Sequence, residues 1–316
     1  LGPREDAGTE DFAARAPHFH RFGPDVDRFV APTRALALDL AIFPELGMIQ
    51  RLFAAAAAGV ARAQWMAWGH PVTSGLPTVS HYLSCAEMEP EHAQRVYRES
   101  LRLLPGIGTR YTLPAKPALR DRAALGLPEG PLAIVPQSIF KVLPSNDPIY
   151  AHLLDARGDL RIAFFGADPT VDASQFRARL RGAVGPRAAE RLLFLPELSR
   201  GAFLETLAAC DLMIDTLGWS GGNSALDALR AELPIVTWPG EFMRGRQCAT
   251  MLRLLGIEGA QAESPEALAR LALERLDDRH FRHHFRDRAR LGLHDLVDDP
   301  ACDRALVEHI ENAIAR

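Results

Sequence analysis

Cysteine is scarce and scattered in this chain. Its four cysteines, Cys85, Cys210, Cys248 and Cys302, stand far apart with no CxxC pair. That spacing excludes a disulfide framework and fits a reduced, cytoplasmic protein. Long apolar runs are missing too. Charge or proline breaks each one well short of the ~20 residues of a membrane-spanning helix, and the N-terminus carries no signal-peptide pattern. Positive charge is not in excess, because the formal net charge is −4, which gives no basic footprint for nucleic acid. Internal repeats and low-complexity tails are absent as well. What remains is 316 residues, 47% of them hydrophobic. That is enough for two ordinary domains with cores of their own.

Strand and helix signals alternate along most of the chain. Residues 1–33 are charged and punctuated by Pro and Gly, with a helix end and loop over 12–22. Then 36–43 reads as a buried strand, 48–58 as a helix carrying five consecutive alanines, and 61–68 and 79–85 as strands. A polar helix is expected over 87–99 and a last buried segment over 101–105. Periodicity lapses over 112–121, where Pro114 and Pro117 fall, and a domain boundary is placed there. A second series opens with a strand at 132–135 and a helix after the cap signal Pro144-Ser145-Asn146-Asp147. It continues with strand 160–165, helix 173–184, strand 192–195 and helix 199–210, with Ser199 as its N-cap. Helices over 243–255, 265–276 and 301–315 finish the chain. The expected organisation is an incomplete N-terminal domain (1–115), a doubly wound parallel domain (116–280) and C-terminal helices (281–316).

One stretch, 211–247, organises the rest. An apolar run of strand length ends at Asp215 and leads into the small-residue loop Gly218-Trp219-Ser220-Gly221-Gly222-Asn223-Ser224. A helical pattern follows, then a second apolar run over 233–238 that closes at Pro239-Gly240-Glu241. Strand, glycine-bearing loop, helix and strand make a βαβ unit whose loop lies at the carboxyl edge of a parallel strand. Ligands bind open α/β sheets at that edge, where helix N-terminal amides favour an anion. Gly221 and Gly222 let backbone approach closely, while Asn223 and Ser224 can cap the helix and donate to phosphate oxygens. Asp227, one turn in, is placed like an acid that takes a ribose hydroxyl. A Gly-rich turn with an Asn/Ser cap and an exposed Asp would carry the same pattern.

Other candidates stand on strand-end loops. His70, between Gly69 and Pro71, reads as an exposed imidazole able to act as acid or base near pH 7, or as a loop histidine bonded to backbone. Glu45 ends a strand, where an acid is as often a helix cap as a catalyst. Lys141 follows the 132–135 strand, preceded by Gln137, and its ammonium could reach a diphosphate or simply be solvated. Phe203 either stacks on a base or packs in the core beside Leu207. His280, His283 and His284 lie among Arg282, Arg286, Arg288 and Arg290, and read as a solvated basic helix face rather than a metal site. The loops at 70–75, 137–141 and 218–227 are expected at the carboxyl edges of two facing sheets.

Five segments carry a family likeness: FPELGM (43–48), QWMAWGHPVTSGLPTVSHYLS (64–84), PQSIFK (136–141), LLFLPELS (192–199) and DLMIDTLGWSGGNSALDALRAELPIVTWPGE (211–241). In this order the chain resembles the catalytic region of bacterial SPINDLY-type O-linked N-acetylglucosamine transferases. These are relatives of eukaryotic O-GlcNAc transferase and of HMW1C-type protein N-glucosyltransferases. The resemblance implies an α/β fold of GT-B type, with two facing Rossmann-like domains, the N-terminal one incomplete. It implies a glycosyltransferase that moves GlcNAc or another hexose from a UDP-sugar to a protein Ser/Thr side chain. The alternatives are asparagine N-glucosylation and a non-catalytic nucleotide-sugar or protein-binding module. No cofactor or metal is expected beyond the donor, and the expected partners are the UDP-sugar and a protein or peptide, with neither nucleic acid nor membrane.

Carried over residue by residue, the likeness puts Lys141 beside the leaving diphosphate, with Gln137 on the same loop. Asn223 and Ser224, after Gly221 and Gly222, would bind phosphate. Asp227 would hold the ribose, Phe203 would lie against the uracil, and His70 would face sugar and acceptor. The chain departs from the family in three ways. No counterpart of the earlier strands and their His-bearing loop precedes residue 35, so the chain reads as a fragment or a short divergent member. Tetratricopeptide repeats are missing too. The phosphate loop reads GGNS where eukaryotic enzymes have a His and two Thr, so donor identity need not carry over.

Overall fold

Two parallel sheets, each with its own core, organise the computed structural model, which describes residues 7–21, 25–167 and 173–315. The chain divides into two compact units. The first comprises Leu1–Ala86, Glu91–Gly108 and Asp303–Arg316, and the second Glu87–Pro90 and Thr109–Cys302.

The first unit contains α1 (Ala7–Arg15), α2 (Asp27–Ala35), β1 (Leu40–Phe43), α3 (Gln50–Ala58), β2 (Ala63–Ala67), β3 (His81–Cys85) and β4 (Ser100–Leu104). Its strands lie in the order β1-β2-β3-β4, every neighbour parallel. Phe43, Met66 and Tyr82 pack into one core with Ala55 and Ala56 of α3, both fully buried. The alanine run therefore does more than favour helix, because its small side chains let α3 contribute to this core without steric bulk. Gly59 at φ +75° ends α3, a conformation that suits a residue without Cβ. Gln64, 2% exposed, spends its amide on the Val60 N–H and on the Ala56 and Thr78 carbonyls, as burial of a polar group requires.

Two expectations fail in this unit. The strand expected over 36–43 is four residues long, because α2 runs to Ala35. The polar helix expected over 87–99 is reduced to a 3-10 turn at Ala93–Val96. Pro90 and local side-chain bonds explain the second failure. The Gln94 side chain caps the backbone of Tyr97, Glu99 and Leu101, and the buried Glu99 carboxylate serves Thr73 and Ser74 instead.

The second unit runs β5 (Leu132–Val135), α4 (Asp147–Ala156), β6 (Arg161–Ala167), α5 (Ser174–Val184), α6 (Pro186–Ala189), β7 (Leu192–Pro196), α7 (Arg200–Ala209) and β8 (Leu212–Ile214). It continues with α8 (Asn223–Arg230), β9 (Ile235–Val236), α9 (Gln247–Leu254), α10 (Ala267–Asp277) and α11 (Arg279–Val297), while α12 (Pro300–Ile314) returns to the first unit from Asp303 onward. The sheet order is β7-β6-β5-β8-β9, all parallel. β5 is fully buried at the centre, which is why it reads as the unbroken apolar run Leu-Ala-Ile-Val. The strand expected over 233–238 shortens to the two residues of β9, and the helix expected over 243–255 starts as a 3-10 turn, Met243–Gly245, before α9. The His/Arg-rich face belongs to the 19-residue α11, whose other face buries Phe281, Phe285, Ala289 and Leu293. Among the described residues no helix is long and apolar enough to cross a membrane.

Candidate donor site at the switch point of the second sheet

The strand order of the second unit reverses direction between β5 and β8. Chain leaving β5 builds outward toward β7, and chain leaving β8 builds the other way. The carboxyl ends of such adjacent strands splay their loops apart and leave a crevice. The loops after β5 and β8 carry Gln137, Lys141 and the 218–224 stretch, so the topology brings those residues together.

A buried carboxylate shapes the β8–α8 loop. Asp215, 2% exposed, accepts the Ser220 hydroxyl at 2.6 Å, the Thr237 hydroxyl at 2.7 Å and the Gly221 amide at 2.8 Å. Burial pushes its carboxyl above the ordinary range, and these donors pull it partly back. Ser220 is engaged further, its hydroxyl accepting the Cys248 amide at 3.0 Å and its own amide donating to the Arg244 carbonyl at 2.7 Å. The Trp219 carbonyl accepts Thr216 Oγ1 at 2.6 Å and Gln137 Nε2 at 3.2 Å, which ties the two loops to each other.

The backbone before α8 is closely approached by its neighbours, so that a side chain there would force them to shift. A Cβ on Gly221 would lie 2.8 Å from Ser224 Oγ and 3.2 Å from the Ala225 amide nitrogen, and one on Gly222 would lie 2.7 Å from Gln247 Oε1. The N-cap is Gly222 and no side chain caps the helix, so Asn223 and Ser224 do not take the capping role expected of them. They occupy the first two helical positions. The amides of Ala225 and Leu226 reach back to the Gly222 carbonyl at 3.1 Å, and those of Asn223 and Ser224 lie ahead of these first helical bonds. Exposed Asn223 and half-buried Ser224 thus sit where helix-end amides and the helix dipole attract an anion.

Lys141 ends the 3-10 turn Ile139–Lys141 and is half-buried. Its ammonium lies 5.3 Å from the centroid of the Trp219 ring, and among the described residues it forms no ion pair. Burial lowers its pKa from the ordinary lysine value. The sequence held an unused signal here. Lys116 and Lys141 are the two lysines among 36 Lys and Arg residues. Lys116 is paired with Glu232, so a chain that otherwise uses arginine spends its remaining lysine at this loop.

Asp227 is also 2% exposed, not the surface acid its pattern allowed. Both of its oxygens are held by Arg200 of α7, Nη1 to Oδ2 at 2.5 Å and Nη2 to Oδ1. Burial raises its pKa and Arg200 opposes that rise. Arg200 Nη2 also reaches the Tyr111 hydroxyl at 3.4 Å, and its guanidinium lies 6.0 Å from the Phe203 ring. Phe203 is half-buried, with its ring 5.0 Å from that of Phe165. Arg200 and Tyr111 carry no sequence signal of their own, and their roles come from pairings between distant segments.

His70 lies in the first unit. Its ring packs on Gly47, where an added Cβ would come within 2.6 Å of the imidazole, and it is half-buried rather than exposed. Its carbonyl accepts the Tyr82 hydroxyl at 3.1 Å, and the loop beyond it is anchored by Glu99. Glu45 acts as a local cap, its Oε2 accepting the Met48 amide at 2.9 Å. His283 faces Asp287 at 3.2 Å, and no group of three or more His, Cys, Asp or Glu that could hold a metal is found among the described residues.

No family model matches the chain. In sequence it is similar to a tomato (Solanum lycopersicum) protein described as a probable UDP-N-acetylglucosamine–peptide N-acetylglucosaminyltransferase SPINDLY. The two are 24% identical over 214 residues, 66% of this chain and 23% of that protein. In structure it is similar to a mutant O-GlcNAc transferase of Thermobaculum terrenum. The TM-score is 0.82 with 22% identity, covering 99% of this chain and 60% of that one. Sucrose-phosphate synthase of Thermosynechococcus elongatus matches at a TM-score of 0.64 with 13% identity, covering 92% of this chain and 78% of that one. The resemblance read from the motifs and the GT-B type of fold are both borne out. The chain spans about a quarter of the curated relative's length and three fifths of the O-GlcNAc transferase structure.

Proposed function

We propose that the chain is the catalytic region of a glycosyltransferase that moves GlcNAc or another hexose from a UDP-sugar to a Ser or Thr side chain of a protein. The SPINDLY protein's own description names a UDP-sugar donor and a peptide acceptor, and the Thermobaculum protein is an O-GlcNAc transferase. The observation that carries the reading is Lys141, a half-buried ammonium without an ion-pair partner among the described residues. It stands in contact with the loop that leads into the uncapped start of α8.

Breaking the glycosidic bond leaves the sugar oxocarbenium-like and gathers negative charge on the departing diphosphate. A fixed ammonium and helix-end amides meet that charge where it develops. Lys141 supplies the first, and Asn223 and Ser224 with the glycine approach supply the second. Asp227, held by Arg200, would take the ribose hydroxyls, and Phe203 would lie against the base. His70 remains the candidate on the acceptor side. The same charge stabilisation makes a divalent metal unnecessary, so full turnover is expected after EDTA treatment.

Calorimetry with UDP, UMP and ADP tests the site, and UDP release from UDP-GlcNAc and UDP-glucose tests the enzyme. UDP should bind tightest, because UMP lacks the second phosphate and ADP the uracil. Equal affinity for all three, or turnover of neither sugar, would remove the proposal. Intact-mass analysis of proteins co-expressed with the chain would then identify the acceptor.

A further inference from the structure

Trp219 stands on a base that does not depend on its own side chain. Its carbonyl is held by Thr216 and Gln137, and the next residue is tied to Asp215 and Arg244. The indole that rises from this base is the contact that the structure gives the Lys141 ammonium. A lysine side chain left to itself samples many rotamers, and ordering it costs on the order of 1.5–2 kcal/mol. An aspartate partner would order it but would also cancel its charge and occupy its N–H donors. An aromatic face orients an ammonium through the ring quadrupole and leaves the charge and the donors available.

We infer that Trp219 is a positioning residue, holding the Lys141 ammonium beside the loop that leads into α8, ready for the oxyanion of a leaving diphosphate. The inference rests on the donor-site reading given above. Preorganisation of this kind acts mainly on the transition state, because the oxyanion gains charge as the bond breaks. The lowered pKa of Lys141 is consistent with an ammonium held out of full solvation.

Trp219→Leu and Trp219→Phe test it, since both keep the backbone carbonyl that Thr216 and Gln137 bind. With two lysines in the chain, reductive 13C-methylation gives two side-chain resonances to resolve by NMR. In the wild type the Lys141 methyls should lie upfield of those of Lys116, shifted by the indole ring current. In Trp219→Leu this shift should vanish, and kcat should fall about 3- to 30-fold, the span of cation–π contacts from exposed to desolvated sites. The donor KM should stay within about twofold, on the premise that the contact acts in the transition state. Trp219→Phe should recover part of both signals. An unshifted Lys141 resonance in the wild type, or a Leu variant with unchanged kcat, would overturn the inference. So would a Phe variant as impaired as the Leu one. The resonance arm needs no turnover, so if neither UDP-sugar were consumed the functional reading would fall while the contact itself was still decided.

Discussion

Arg200 grips Asp227 with two guanidinium nitrogens, joining the first turn of α7 to the second turn of α8. The pair is asymmetric, because the Asp227 side chain is 3% exposed while that of Arg200 is 51% exposed. The carboxylate therefore depends on the arginine far more than the arginine depends on it. Arg200→Ala should cost about 1–3 kcal/mol of stability in urea unfolding, the scale of leaving a buried polar group unpaired. It should also weaken UDP binding. A variant as stable as wild type would mean that water replaces the guanidinium without loss.

Lys141 and Asp227 should separate in kinetics. Lys141 faces a group whose charge grows along the reaction, so Lys141→Ala should lower kcat by ~10²–10³, the loss seen when one preorganised donor is removed. Ribose hydroxyls keep their charge throughout, so Asp227→Ala should act chiefly on the donor KM and leave kcat nearly unchanged. Steady-state kinetics with a varied UDP-sugar decides this. Near-normal turnover in Lys141→Ala would return that residue to the solvated surface.

The required ammonium also sets a pH dependence. Burial depresses the folded pKa of Lys141, so its charge is lost as pH rises through a value below the ordinary 10.5. In the donor-free enzyme kcat/KM should accordingly fall on the alkaline side before 10.5. The limb in kcat should lie higher, because a bound diphosphate favours the ammonium. A kcat limb lying below that of kcat/KM would contradict the placement.

The fold was legible where apolar runs and turn residues agree. The 211–241 stretch shows its strand, glycine loop and helix in plain order because a parallel strand buried on both faces must be apolar throughout. A helical pattern gave way where side chains compete for the backbone, as Gln94 does after Pro90. Arg200 was illegible for another reason. It lies 27 residues before Asp227, and no local pattern announces an ion pair that only the β7–α7 and β8–α8 connections bring together. Trp219 read as one member of a small-residue loop, and its meaning depends on a lysine 78 residues earlier. Lysine scarcity was the signal that could have pointed to that pair.

Glu232 supplies a prediction about acid stability away from the site. It sits just past α8 at φ +57° and binds Arg290 of α11 and Lys116. Hydrogen bonding from Arg290 and then Lys116 holds its pKa down to about 2. Its stabilisation is present above the unfolded carboxyl value of 4.5 and is lost as pH falls through about 2. Because both cations are more than half exposed, screening reduces the effect, and Glu232→Gln should cost about 1 kcal/mol at pH 7 and little at pH 2. Urea midpoints at the two pH values measure the difference.

Asp215 titrates in the opposite sense. Its folded pKa is raised by burial, so the stability tied to its protonation is fully present below 3.8 and is lost as pH rises through the folded value. The buried carboxyl group is retained for the donors it organises, the Gly221 amide among them. Asp215→Ala would strand those donors and should cost about 3 kcal/mol or more, at about 1–3 kcal/mol for each buried group left unpaired. Asp215→Asn keeps the volume and one acceptor while removing the charge. Against this variant the wild type should gain relative stability as the solution is acidified from pH 7 to pH 4. UDP affinity at pH 7 should fall in both variants, because the Gly221 amide and the start of α8 lose their anchor. A wild-type advantage over Asp215→Asn that shrinks on acidification would mean the carboxylate is better solvated than its burial implies. The β8–α8 loop would then owe its shape to the glycines and to Ser220 rather than to Asp215.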